Sequence, residues 1–157
     1  RIDSAVDKEL KAIGNQDLLG KVAVANAHRA YALFLEKFSQ STWKSLEVGG
    51  ALVQRPLWAS TGVKDPSYSD TLYVDTLIAP HTVNTMPQST LDAFLDHGIV
   101  KSDAITAQME SATATLSSLS ALGISLEAIT DALEADGVKK FEDAWISLLD
   151  DVKKVMA

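Results

Sequence analysis

Cysteine is absent from all 157 residues, which excludes disulfides, thiolate-bound metals and a thiol nucleophile. A chain without disulfides fits a reducing compartment, and the cytoplasm is the expected location. No run of about twenty apolar residues occurs, so no membrane-spanning helix is expected. Positive charge is in deficit: 14 lysines and arginines against 21 aspartates and glutamates leave a net charge of -7. Nucleic acid and anionic membranes both require an electropositive face, so neither is an expected partner. A local basic pocket for one small phosphate remains compatible with that balance. Glycine never forms a G-x-G-x-x-G behind a strand, which removes the dinucleotide fingerprint. His28, His81 and His97 lack metal-ligand spacing, so they are expected at the surface or as caps, and no metal or other cofactor is expected.

What is present is mainly helical periodicity. Val24, Ala27, Tyr31, Phe34, Leu35 and Phe38 recur at three- and four-residue spacing and predict one face of a long helix. Ser41 and Thr42 predict a short helix closed by Gly49 and Gly50. Capping-box spacing at Ser4–Asp7 and at Ser89–Asp92 predicts two further helix starts. Ser67 or Ser69 is the expected cap of a helix through Leu72 and Leu77. Ile105 to Leu119, then Leu126 to Leu133 ending at Gly137, then Val138 to Met156, predict three closing helices. Arg55–Ser60 and Thr82–Met86 have no helical period and are bounded by Pro56 and Pro87, so short strands are predicted from about Pro56 to Ser60 and over Thr82–Met86.

Short strands separated by helices imply parallel pairing through right-handed crossovers. Two such strands cannot cover both faces of a sheet. The expectation is therefore a piece of an α/β protein whose other strands come from elsewhere in a longer chain. The abrupt helix start behind Arg1 leads to the same expectation. No low-complexity linker intervenes, so residues 1–157 read as part of one domain. Trp43, Trp58 and Trp145 fall on apolar faces and are expected in the core.

Chemistry concentrates after the first strand. Ser60 and Thr61 carry hydroxyls able to donate to phosphate oxygens, Gly62 allows close backbone approach, and Lys64 supplies a point charge. The following helix offers free amides. The competing reading is a polar connection whose hydroxyls bond their own backbone. Asp150–Asp151 and Glu134–Asp136 read as solvated helix faces.

The segments "ANAHRAYALFLEKF", "QRPLWASTGVKDPSYSDTLYVDTLIAPHTVNTMPQSTLDAFLDHG" and "GVKKFEDAWISLLDDVKK" closely resemble transaldolase in its longer bacterial form. The resemblance spans essentially the whole chain. It implies the C-terminal part of a (β/α)8 barrel, beginning at the end of the sixth strand. It also implies a cofactor-free transferase of carbohydrate metabolism. Such enzymes carry a dihydroxyacetone unit from sedoheptulose 7-phosphate to glyceraldehyde 3-phosphate through a lysine Schiff base, in the pentose phosphate pathway. By resemblance, Arg1 and Ser60 contact the substrate phosphate. Gly62 stands where many members have an arginine, which leaves Lys64 as the candidate replacement cation. The Schiff-base lysine and its acidic partners belong to the family's fourth, first and third strands, so no catalytic residue is expected within 1–157. The chain by itself is expected to be inactive, and to associate with the missing N-terminal part of the barrel or with itself. Two alternatives stand beside this: a related class I aldolase of the same barrel type, and a non-catalytic helical interaction module using Phe141, Trp145 and Leu148.

Overall fold

The computed structural model describes residues 1–156. In chain order it contains α1 (Ile2–Ala12), α2 (Val22–Ser39), α3 (Ser41–Val48), β1 (Leu57–Trp58), α4 (Leu72–Asp75), β2 (Val83–Asn84), α5 (Gln88–His97), a 3-10 turn (Thr106–Gln108), α6 (Met109–Ala121) and α7 (Leu126–Met156). The strands pair in parallel, with Leu57 opposite Val83 and Trp58 opposite Asn84. Pro56 lacks an amide hydrogen, yet its carbonyl accepts the Val83 N–H at 2.9 Å, and Trp58 O accepts Thr85 N–H at 2.8 Å. Proline is thus tolerated at the strand start because only its acceptor is used. The two predicted five-residue strands shrink to two residues each, since each has one neighbour in a two-stranded sheet.

Two apolar clusters hold the helices. Val6 and Leu10 of α1, Val22 of α2 and Leu119 of α6 form the first; Tyr31, Ala79 and Ile105, flanked by Phe34, Trp58 and Met109, form the second. Three side chains satisfy carbonyls just beyond α4: His28 Nε2 donates to Thr76 O at 3.0 Å, Trp58 Nε1 to Leu77 O at 3.0 Å, and Tyr31 Oη to Pro80 O at 3.1 Å. A carbonyl oxygen only accepts, so Nε2 of His28 is a donor in this contact. His28 is buried, not at the surface, and it acts as a cap in bonding the C-cap carbonyl of α4. His97 is exposed and lies 2.8 Å from Asp70 Oδ1, a contact that raises its pKa above the usual range.

Both predicted capping boxes are corrected. Helix α1 begins before Ser4, with Arg1 at its N-cap, and Asp7 points inward to long-range donors. Helix α5 starts at Gln88 behind Pro87, so Ser89 is already helical, and the Gln88 side chain bonds Asp92 at 2.7 Å. Thr71, rather than Ser67 or Ser69, stands at the N-cap of α4. Gly137 does not end a helix: α7 runs through it, bridged by i,i+4 pairs between Asp136 and Lys140 and between Lys139 and Asp143. One glycine costs a helix only about 1 kcal/mol relative to alanine, which a long helix of good formers absorbs.

Trp43 packs edge-on against Phe38 at 4.5 Å between ring centroids, and Trp58 is half-buried. Trp145 is 60% exposed, contrary to the core expectation, because nothing among the described residues covers that side of α7. Among the described residues, no single helix is long and apolar enough to cross a membrane.

Candidate functional site

One face of α1 and the loop leaving β1 line an open cavity of about 550 Å³. Arg1, Ser4, Lys8 and Lys11 reach it at helical spacing, while Ser60, Gly62, Lys64 and Asp65 reach it from the loop. The three residues singled out from the sequence, Arg1, Ser60 and Lys64, therefore line one space although about sixty positions separate the first from the others. Ser60 turns the chain out of the strand with φ 55, a left-handed conformation uncommon outside glycine. That turn sends Ser60 outward and Thr61 inward.

Two sequence expectations about this loop are corrected. Thr61 is buried, with its hydroxyl 2.7 Å from Asn84 Oδ1 and 3.2 Å from Thr85 O. It stitches the loop base to β2 and is not a free donor. Gly62, as expected of a close backbone approach, lines the cavity itself and leaves no room for a side chain, since an added Cβ would lie 3.1 Å from Pro87 Cγ. The amides that open α4 also lie outside the cavity; that helix contributes only Tyr73.

The residues that sequence reasoning left out are the acidic and aromatic ones. Asp3 Oδ1 accepts the Ala23 N–H at 2.7 Å and its Oδ2 accepts the Tyr73 hydroxyl at 2.6 Å. One turn later Asp7 Oδ1 accepts the Gly20 N–H at 3.1 Å and its Oδ2 accepts the Tyr68 hydroxyl at 2.7 Å. Each buried carboxylate thus satisfies an amide at the entry to α2 and a tyrosine from the α4 region. Burial raises the Asp3 pKa, against the pull of Tyr73 and the Ala23 amide. Burial, then the partner aspartates, raises both tyrosines far above their usual range, so they stay neutral donors. The i,i+4 spacing of Asp3 and Asp7 beside Val6 and Leu10 was the available signal: an acidic pair on an apolar stripe requires partners.

With Asp3 and Asp7 occupied by these donors, the rim is cationic. Asp65 pairs with Lys11 at 3.6 Å and caps its own turn through Ser67, whose hydroxyl and amide lower its pKa. Among the described residues, Arg1, Lys8 and Lys64 have no carboxylate within ion-pair distance. The space therefore offers a guanidinium, two unpaired ammonium groups and the Ser4 and Ser60 hydroxyls to an anion, on a molecule whose total charge is negative. No three His, Asp or Glu side chains converge as a metal set among the described residues.

Comparison with known proteins identifies the family. The sequence pattern of the transaldolase/fructose-6-phosphate aldolase family matches residues 1–152. The chain is 52% identical over 160 aligned positions to a transaldolase of Arthrobacter sp. (strain FB24), covering 100% of this chain and 43% of that protein. It is 50% identical to a transaldolase of Mycobacterium tuberculosis (strain ATCC 25618 / H37Rv), covering 98% and 42%. Against a transaldolase of Acidothermus cellulolyticus it is 52% identical, covering 94% and 40%. The chain thus spans well under half the length of the curated relatives it matches.

Proposed function

This chain belongs to the transaldolase/fructose-6-phosphate aldolase family, and from that premise we propose that residues 1–157 are the phosphate-binding, C-terminal part of a (β/α)8 transaldolase. The complete protein would act in the cytoplasm, moving a dihydroxyacetone unit from sedoheptulose 7-phosphate to glyceraldehyde 3-phosphate. The carbon–carbon chemistry would proceed through a Schiff base on a lysine outside this chain. The observation that carries the reading is the convergence of Arg1, Ser60 and Lys64 on one cavity. Transfer is favoured over simple aldol cleavage because the similar proteins are transaldolases at 50–52% identity.

In this reading the Arg1 guanidinium forks across two phosphate oxygens, Ser60 donates to a third, and Lys64 balances the remaining charge. Binding energy gathered on the phosphate fixes the reacting carbonyl at a distance, so positioning here supports bond-making elsewhere. Substituting Ser60→Ala, Lys64→Ala or Arg1→Ala in the complete enzyme should weaken phosphorylated substrates selectively. A hydrogen bond to a charged group contributes about 1.5–3 kcal/mol, which corresponds to about a ten- to hundredfold loss in kcat/KM. Arg1 is expected to matter most and Lys64 least, and borohydride trapping of the Schiff base should persist in all three. Equal losses on unphosphorylated analogues would overturn the assignment.

The exposed side of α7, with Phe141 82% and Trp145 60% accessible, supports a partner of the same kind: the remaining part of the barrel. Produced by itself, the chain is expected to pair through that side, so its weight-average mass in sedimentation should rise with concentration. A compact monomer at every concentration would instead favour a free-standing helical module.

A further inference from the structure

We propose that Asp7 and Tyr68 are positioning residues that set the spacing between the two cationic sides of the phosphate cavity, an inference that rests on the function proposed above. Arg1 arrives on α1, whereas Ser60 and Lys64 arrive on the loop after β1. The base of that loop is fixed to β2 by Thr61, but this contact says nothing about its distance from α1. Tyr68, at the far end of the loop, supplies the link: its hydroxyl reaches Asp7 Oδ2 at 2.7 Å across 61 positions of sequence.

Three observations make this link rigid. Asp7 is 5% exposed, and its other oxygen is held by the Gly20 N–H at 3.1 Å, so the carboxylate cannot rotate without losing a buried bond. The Tyr68 ring lies on Gly20, where a Cβ would sit 2.8 Å from the ring, so the ring is confined laterally as well. Between Lys64 and Tyr68 the chain is a closed turn, with Tyr68 N–H on Asp65 O at 3.1 Å, and Asp65 also meets Lys11 of α1. Lys64 is therefore tied to the helix that carries Arg1 by the turn that directly follows it. The one hydroxyl proton of Tyr68 is committed to Asp7 and a carboxylate has none to give, which suits positioning and leaves no donor for the substrate.

The test uses the complete enzyme, with active sites counted by borohydride trapping so that misfolded protein is not scored. Tyr68→Phe keeps the ring and removes the tie; Asp7→Ala removes the carboxylate that accepts it. Each should raise KM for the phosphorylated donor about tenfold, or about 1.4 kcal/mol, with kcat per trapped site within about twofold. KM for an unphosphorylated analogue should not change. The double variant should cost no more than the worse single one, because both break the same bond. A drop in thermal stability with unchanged KM per trapped site would overturn the proposal and make the pair a fold contact only. If Ser60→Ala is phosphate-selective and Tyr68→Phe is not, this inference alone fails. If neither is selective, it fails together with the phosphate reading.

Discussion

Incubated with a ketose phosphate and borohydride, the 157-residue polypeptide produced by itself is expected to retain no covalent adduct and to show no transfer activity. Schiff-base catalysis requires a lysine amine that is unprotonated and in reach of the carbonyl, which enzymes achieve by burying the amine or setting another cation beside it. Lys8, Lys11 and Lys64 line the cavity, but all three are exposed to water, and Lys11 is engaged by Asp65. None has the enclosure that activates a catalytic lysine. Preorganised cations can hold a phosphate but cannot replace the bond that splits one difficult step into two easier ones. Mass spectrometry of the trapped polypeptide reads the outcome directly. A stoichiometric adduct on any of these lysines would move the chemistry into this chain and refute the division of labour proposed for it.

The second large effect is on stability. Gly20→Val should destabilise the protein by roughly 2–5 kcal/mol, combining left-handed backbone strain with overpacking. Gly20 has φ +67, and an added Cβ would meet Tyr68 at 2.8, 2.9 and 3.2 Å, with the ring held in place by Asp7. Gly14 provides the control, since it has φ +73 and open space around it. Gly14→Ala should cost only about the backbone strain of one left-handed residue, about 1–2 kcal/mol. Thermal unfolding of both variants in the complete protein compares them. Equal shifts would show that the Tyr68 ring yields, and would weaken the argument for its confinement.

Much of the local structure was legible because it rests on contacts between near neighbours. The three- and four-residue rhythm of Val24 to Phe38 gave α2, and that of Ile105 to Leu119 gave α6, since helical side chains one turn apart share a face. Pro56 and Pro87 bracketed the strand segments because proline is confined to strand starts and edges. Local signals failed where a distant partner claimed the same group. Asp7 had the spacing of a helix cap, but Gly20 and Tyr68 take both of its oxygens. Thr61 had the setting of a phosphate donor, but Asn84 takes its hydroxyl. Gly137 had the look of a stop signal, yet α7 continues through it on the strength of its neighbours.

The sequence by itself determined the family, through motifs dense enough to match over residues 1–152, and it determined most of the helical segments, though not their ends, with the two strand segments and the loop that carries Ser60 and Lys64. Tertiary structure alone decided which polar groups meet. It brought Arg1 to the far side of the same cavity, turned Ser60 out and Thr61 in at one left-handed residue, and joined Asp3 to Tyr73 across 70 positions and Asp7 to Tyr68 across 61. The reason is that spacing along a chain encodes only bonds closed within a turn or two. A carboxylate on α1 and a hydroxyl some sixty residues later find each other only when the packing of α1, α2 and the β1 loop has already fixed their distance.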